Sequence, residues 1–340
     1  MKSLRDYSLN IPEQEYHEYP AWSYSMIAKY ARNGFSAIST IHDKMKPTPE
    51  MEFGSLFDSI LTRGKKTLDE YVVVDFSVPD AEKKVLDALL VRFSVPFLEI
   101  SMNDFLETAD SVSYQMKWKS DTRYQKVAAY SNYYDTLRSG KKVVSQKDWD
   151  DAVEMAKVFR SDPYLKTIFG TKNTEDVEYI YQPQFVVDYE TEFHGTVKVK
   201  CMFDLLVVNH KDKTIQPVDL KTSSMPAYDF PEHFVKMRYD IQGDEYSDVL
   251  RIVIDELPEY QNYSILPYLF TDVSRTDMVP VTFVYDQTAG LSFTKGDKTY
   301  TYKRWNDLLD EIIEYEDSNA VAPSYIDVQG PNDLISILQR

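Results

Sequence analysis

Apolar positions recur at helical spacing towards both ends of the chain and alternate in its middle. Trp22 to Ala37 reads as a helix entered through Ser23 or Ser25, and Glu52 to Arg63 as a second, with Phe53, Leu56, Phe57, Ile60 and Leu61 on one face. EYVVVDF (70–76) is a short extended run before Pro79, and the pattern from Ala81 to Val158 is mostly helical. The character changes at about residue 175. VEYIYQPQFVVDYE, TVKVKCMFDLLVV and TIQPVDLKT, within 177–221, are β-branched and aromatic runs separated by turn residues, the pattern of a mainly antiparallel sheet. A helix from about Glu232 to Glu256 follows, then strands near 262–270, 279–285 and 290–301, and a last helix from Trp305 to Tyr315. This predicts an α/β (α+β) protein with a central mixed sheet flanked by helices. Without an internal repeat or linker, it reads as one domain over 1–320, mainly helical to 170 and sheet-based over 171–320, with a tail at 321–340.

The most informative stretch is CMFDLLVVNHKDKTIQPVDLKTS, two apolar strands joined by the polar turn Asn209 to Thr214. A hairpin centred between Lys211 and Asp212 puts Val208 opposite Ile215 and Asp204 opposite Asp219. Because side chains alternate, Asp219 and Lys221 then share the face of Asp204, while Phe203, Leu205, Val218 and Leu220 take the other. Opposed carboxylates in a sheet are destabilising unless a cation lies between them. Oxygen ligands select Mg²⁺ or Mn²⁺, and Lys221 is placed to orient or activate a water or to stabilise phosphate charge. The plainer reading makes Asp204 and Asp219 ordinary strand-end carboxylates and Lys221 a surface ion-pair partner. Downstream, Gln242 and Tyr246 lie four apart on one helix face, as do Gly54 and Asp58 upstream.

Composition narrows the class. A chain of 340 residues with 43% hydrophobic side chains is not disordered throughout, and no apolar stretch approaches the ~18 residues of a membrane span. The single cysteine, Cys201, forms neither an intramolecular disulfide nor a cysteine zinc cage, which points to a reducing cytoplasm. A formal charge of −17 has the wrong global sign for a polyanion binder. Locally the sign reverses. Lys117, Lys119, Arg123, Lys126, Arg138, Lys141, Lys142 and Lys147 face only Asp121 and Asp135, interleaved with Trp118 and tyrosines, a basic stripe suited to nucleic acid. Its plainer reading is a solvated helical face with the tyrosines turned to the core.

Taken in order, Gly54-x-x-x-Asp58, Asp204, Asp219-Leu220-Lys221 and Gln242-x-x-x-Tyr246 resemble the RecB-like branch of the PD-(D/E)xK nuclease superfamily. Within it the chain is similar to the group of exodeoxyribonuclease VIII and the phage recombination exonucleases, with EQEYHEYPAWSYSMIAKYARNGFSAI, EFGSLFDSILT and segment 279–301 extending the likeness over most of 13–315. The resemblance implies a restriction-endonuclease-like core and a metal-dependent deoxyribonuclease, a 5′-to-3′ double-strand exonuclease acting in a bacterial or phage-infected cytoplasm. Asp204 and Asp219, with Asp58, would bind Mg²⁺ or Mn²⁺, Lys221 would serve the nucleophile, and Gln242 and Tyr246 would support the site or contact phosphate. Linear duplex DNA, a single-strand annealing protein and further copies of the chain are the implied partners. Two departures stand out: Asp58 replaces the usual histidine, and the glutamate usual on the preceding strand is not evident, Gln182 or Gln184 taking its place with Glu178 nearby. The alternatives are a structure-specific endonuclease on the same fold, a catalytically impaired DNA-binding module, and an acidic DNA mimic, which would not need the clustered Asp204, Asp219 and Lys221.

Overall fold

The computed structural model describes residues 3–43, 47–75, 77–169, 172–295 and 297–318, so the tail at 321–340 lies outside the described residues. The sequence reads as one domain, whereas the chain packs as two compact units, one from residues 1–50 with 158–340 and the other from 51–157. In chain order the elements are α1 (Leu4–Tyr7), α2 (Glu13–Glu18), α3 (Tyr24–Asn33), α4 (Pro49–Arg63), α5 (Thr67–Glu70), β1 (Tyr71–Val74), α6 (Asp80–Arg92), α7 (Met102–Ser111), α8 (Ser120–Ala128), α9 (Ser131–Arg138), β2 (Lys142–Ser145), α10 (Gln146–Ser161) and α11 (Leu165–Ile168). Then come β3 (Val177–Tyr181), β4 (Gln184–Glu190), β5 (Thr196–Met202), β6 (Leu205–Asn209), β7 (Thr214–Ser223), α12 (Phe230–Met237), α13 (Tyr239–Asp255), β8 (Ser264–Ile265), β9 (Tyr268–Ser274), β10 (Pro280–Tyr285), β11 (Ser292–Lys295), β12 (Lys298–Thr301) and α14 (Trp305–Ser318). Helices and a mixed open sheet make this an α/β protein, as the pattern predicts.

The smaller unit is a helical layer over a short parallel pair, β1 with β2. The sequence missed β2, because KVVS is too short to interrupt the helical periodicity around it. Its core is Val85, Leu86, Leu89, Phe97, Phe105, Val127 and Tyr134, so Tyr134 of the basic stripe does turn inward.

The larger unit carries a mixed sheet in the order β10-β9-β7-β6-β3, with β8 continuing beside β7. β3, β6 and β7 are antiparallel neighbours, and the chain then crosses through α12 and α13 to lay β9 parallel to β7. One long antiparallel ladder runs through β3 and β4 against β6 and β5 in unbroken register, Val177 opposite Asn209 and Gln184 opposite Met202. It bends midway. Gln182 adopts φ 50° beside Pro183, yet the Gln182 amide still donates to the Asp204 carbonyl at 3.0 Å and the Phe203 amide to the Pro183 carbonyl at 3.1 Å. The runs read as single strands are therefore pairs of strands, split where a left-handed residue and a proline break the pleat.

α13 covers the sheet face formed by Leu206, Val208 and Ile215, burying Ile241, Val249, Leu250 and Val253 with them. The sequence predicts one helix over 232–256, but Arg238 in the left-handed conformation (φ 60°) separates α12 from α13. Its guanidinium bonds Asp240 through Nε at 3.0 Å and Nη2 at 3.0 Å, and Nη2 also donates to the Lys303 carbonyl at 2.8 Å, so a buried ion pair fixes where α13 begins. Gly34 (φ 59°) likewise ends α3 at Asn33, short of the predicted Ala37, and a 3₁₀ turn carries the chain on.

Towards β10, α13 presents the buried Asp244, which accepts from the Tyr285 hydroxyl at 3.0 Å and pairs with Arg304 at 3.3 Å. Burial nevertheless pushes its carboxyl up to about 6, against the pull of Arg304 and Tyr285. A carboxyl raised on folding contributes stability that is full below the unfolded value near 3.8 and is lost as pH rises through about 6. Asp244→Asn should remove that loss. Urea denaturation across pH 4 to 7 should show a shallower fall in stability for the variant, the wild-type slope from this group being at most about 1.4 kcal/mol per pH unit.

Candidate functional site

The site begins with the β6–β7 hairpin. Asn209 and Asp212 lock its turn, the Asp212 amide donating to Asn209 Oδ1 at 2.9 Å and Asn209 Nδ2 to Asp212 Oδ2 at 2.8 Å. Val208 faces Ile215 and Leu205 faces Val218, the register expected from the turn. Regular pairing stops there, because the bend at Phe203 takes Asp204 out of the strand. Its carboxylate accepts from the Leu220 amide at 2.6 Å, a backbone donor that the ladder no longer satisfies. Beneath the bend, buried Phe203 packs against Phe185, Tyr246 and Tyr268 at ring separations of 6.0, 5.1 and 6.3 Å.

Asp219, 3% exposed, lies in the middle of β7. Its Oδ2 is 2.7 Å from the Lys221 ammonium, and its Oδ1 accepts from Gln242 Nε2. Gln242 closes the triangle, its Oε1 accepting from Lys221 Nζ at 3.0 Å. The ammonium also lies 4.5 Å from the centre of the Tyr239 ring. Burial opposes its charge, but Asp219, with Asp204 further off, outweighs burial and holds Lys221 well above the ordinary lysine value. Part of the repulsion that the sequence assigns to a divalent cation is thus met by the chain itself: Lys221 balances Asp219 and the Leu220 N–H satisfies Asp204.

The structure brings Asp219, Lys221 and Gln242 into direct contact, while Asp204 joins the same hairpin through the Leu220 amide instead of facing Asp219 across the ladder, which ends at Leu205 and Val218. Tyr246, on the same face of α13, is a core aromatic that supports the bend from below. Asp58 sits half-buried on α4, among residues of the smaller unit. Among the described residues, no three His, Cys, Asp or Glu side chains form a group able to hold a metal ion.

The residues weighed for the missing glutamate have other work. Gln184 is buried and pins the N-terminal segment, Nε2 donating to the Ile11 carbonyl at 3.0 Å and Oε1 accepting from the Ile11 amide at 3.1 Å. Glu178 pairs with Arg5 at 3.2 Å and His210 at 3.8 Å. In the basic stripe, Lys117, Lys119, Lys126, Arg138 and Lys142 are exposed, and Lys141 is half-buried with its ammonium on the Leu68 carbonyl at 3.2 Å. Arg123 does not belong among them. It is 5% exposed and bonded to Asp110 at 2.6 Å, so it ties α8 to α7 instead of facing a solvent-filled groove.

Sequence reasoning missed Tyr239 and Asp272. Tyr239 follows the unforeseen break at Arg238. Asp272 lies in β9, a strand buried at every position and so without an alternation to show which side chain faces the site.

α13 must approach the sheet closely for Gln242 to reach β7. Gly243 permits this on the side of β10: a methyl group there would lie 2.6 Å from Tyr285 Cδ1 and 2.9 Å from Cε1. Gly243→Ala should therefore cost about 1–2 kcal/mol net, overpacking against a buried ring exceeding the gain in helix propensity. Urea denaturation measures the loss. Stability equal to or above wild type would mean that the ring yields freely.

Comparison with protein-family models and with curated proteins finds no match to this chain.

Proposed function

We propose that the chain is a metal-dependent deoxyribonuclease of the PD-(D/E)xK kind, hydrolysing phosphodiester bonds at Asp204, Asp219 and Lys221. The observation that carries this reading is the junction of Asp219, Lys221 and Gln242 on one sheet face, beside a strand bend that turns Asp204 towards the same hairpin. Asp204 and Asp219 offer hard oxygen donors, and the buried Asp219 Oδ2 accepts no hydrogen bond although it touches the Lys221 ammonium. Two carboxylates with water completing the shell are the donor set that suits Mg²⁺, with Mn²⁺ as the alternative. Such an ion, when bound, polarises phosphate and lowers the pKa of water. The protein's own part is to fix the carboxylates through Leu220 and Gln242, and to hold a permanent positive charge at Lys221 for the phosphate or the incoming water. The exposed lysines at 117, 119, 126 and 142, with Trp118, would contact the DNA backbone and bases. The 5′-to-3′ polarity, action on linear duplex ends, service in phage-type recombination and an annealing partner come with the resemblance and complete the proposal.

The use of Gln184 favours a second reading, a DNA-binding module with impaired catalysis. A neutral amide held on both sides by Ile11 supplies no carboxylate to the site. End-labelled linear duplex and covalently closed circular DNA, each incubated with Mg²⁺, separate the readings. Loss of the linear DNA alone supports an exonuclease and nicking of the circle an endonuclease. Retention of both with stable DNA binding would leave the impaired module.

A further inference from the structure

We propose that Asp272 is a second seat for the Lys221 ammonium, taken up when Asp219 is engaged by a divalent cation. Asp272 would then be a positioning residue that lets the lysine leave Asp219 without leaving the site. The cation half of this proposal rests on the nuclease reading; the existence of the seat does not.

β7 and β9 are parallel neighbours with Lys221 in register with Asp272 and Asp219 with Phe270. Residues in register share a face, so Asp219, Lys221 and Asp272 line the same side of the sheet. The Ser223 hydroxyl confirms the direction by donating to Asp272 Oδ2 at 2.8 Å. Asp272 is completely buried, yet its Oδ1 has no hydrogen-bond partner among the described residues. A buried carboxylate oxygen left unpaired is costly, and a nearby ammonium is the group that would relieve it.

Lys221 is that group. Its side chain is 20% exposed, its charge stands 2.7 Å from Asp219, and it has a flexible four-carbon stem. The Tyr239 ring, 4.5 Å from the ammonium, supplies a surface that stabilises the charge as it moves. Burial pushes the Asp272 carboxyl up to about 6, with Ser223 and Lys221 acting against that rise, so the two charges already sense one another. In the present arrangement the ammonium covers the oxygen that a cation would use. Exchange between two carboxylates would uncover it and leave both charges paired.

The seat is tested without metal or substrate, by thermal denaturation at pH 8 with EDTA. Alone, Asp272→Asn should raise the melting temperature, because it removes an unpaired buried carboxylate. In the Asp219→Asn background the same change should lower it, because Lys221 then loses its remaining carboxylate. Adding Lys221→Gln to both backgrounds should abolish this reversal. An equal effect of Asp272→Asn in both backgrounds would overturn the seat. The cation half is read by Mn²⁺ binding in electron paramagnetic resonance: Asp272→Asn should weaken binding several-fold, and Lys221→Gln should restore it. Unchanged Mn²⁺ affinity in Asp272→Asn would overturn the exchange. A wild type that binds no Mn²⁺ would overturn the nuclease reading, while the denaturation result still decides the seat.

Discussion

Asp204→Asn and Asp219→Asn should each lower Mg²⁺-dependent cleavage of linear duplex DNA by about 10³-fold or more, with the fold retained. The magnitude follows from removing one of two anionic oxygen ligands: a few kcal/mol of transition-state stabilisation corresponds to a factor of ten for each 1.4 kcal/mol. The fold should survive for different reasons at the two positions. An amide oxygen at 204 still accepts from the Leu220 N–H, now at 2.6 Å from the carboxylate, so the bend stays closed. An amide at 219 still meets Gln242, while Lys221 retains the Tyr239 ring and has Asp272 beside it in the sheet. Single-turnover cleavage together with circular dichroism measures both effects. Wild-type rates in both variants would remove these carboxylates from the chemistry.

Phe203→Ala should have the largest effect on stability, about 3–5 kcal/mol, a substantial part of the 5–15 kcal/mol that holds a typical domain together. Phe203 has no exposed surface and packs under the bend, edge-on against Phe185 and Tyr246 and stacked with Tyr268. Its removal leaves a cavity that rigid strands on either side cannot fill. The loss should reach function as well, because Phe203 immediately precedes Asp204 and fixes the backbone that aims its carboxylate. Chemical denaturation and the Mg²⁺ concentration at half-maximal cleavage should move together in this variant. A stability loss below about 1 kcal/mol would mean that the bend is held elsewhere, by Gln182 and Pro183.

Much of this site was legible because the hairpin declares its own register. A polar turn between two apolar runs, closed by Asn209 and Asp212, forces Val208 against Ile215 and Leu205 against Val218. Counting fails at the next pair, where the bend takes Asp204 out of the ladder and its carboxylate meets the Leu220 amide instead of facing Asp219. Gln242 was legible as a helix neighbour of Tyr246, though its two hydrogen bonds, donated to Asp219 and accepted from Lys221, depend on how closely α13 approaches. What the sequence concealed lies where local periodicity carries no information. Arg238 breaks a helix without a glycine or proline to mark it, its left-handed backbone secured by a buried ion pair with Asp240. Asp272 hides in a strand buried on both faces, where a carboxylate looks like a misplaced polar residue until the neighbouring strand is known. Arg123 shows the converse. In sequence it joins a basic stripe, but the carboxylate that neutralises it, Asp110, lies in the preceding helix.

The proposed nuclease activity requires Asp204 and Asp219 together to hold a divalent cation. Mn²⁺ titration of the wild-type protein and of Asp204→Asn and Asp219→Asn, followed by electron paramagnetic resonance, tests it most directly. Binding to the wild type should be saturable and competed away by Mg²⁺, and each substitution should weaken it by at least about tenfold, the equivalent of 1.4 kcal/mol. Binding of equal strength in all three folded proteins, or none in the wild type, would contradict it.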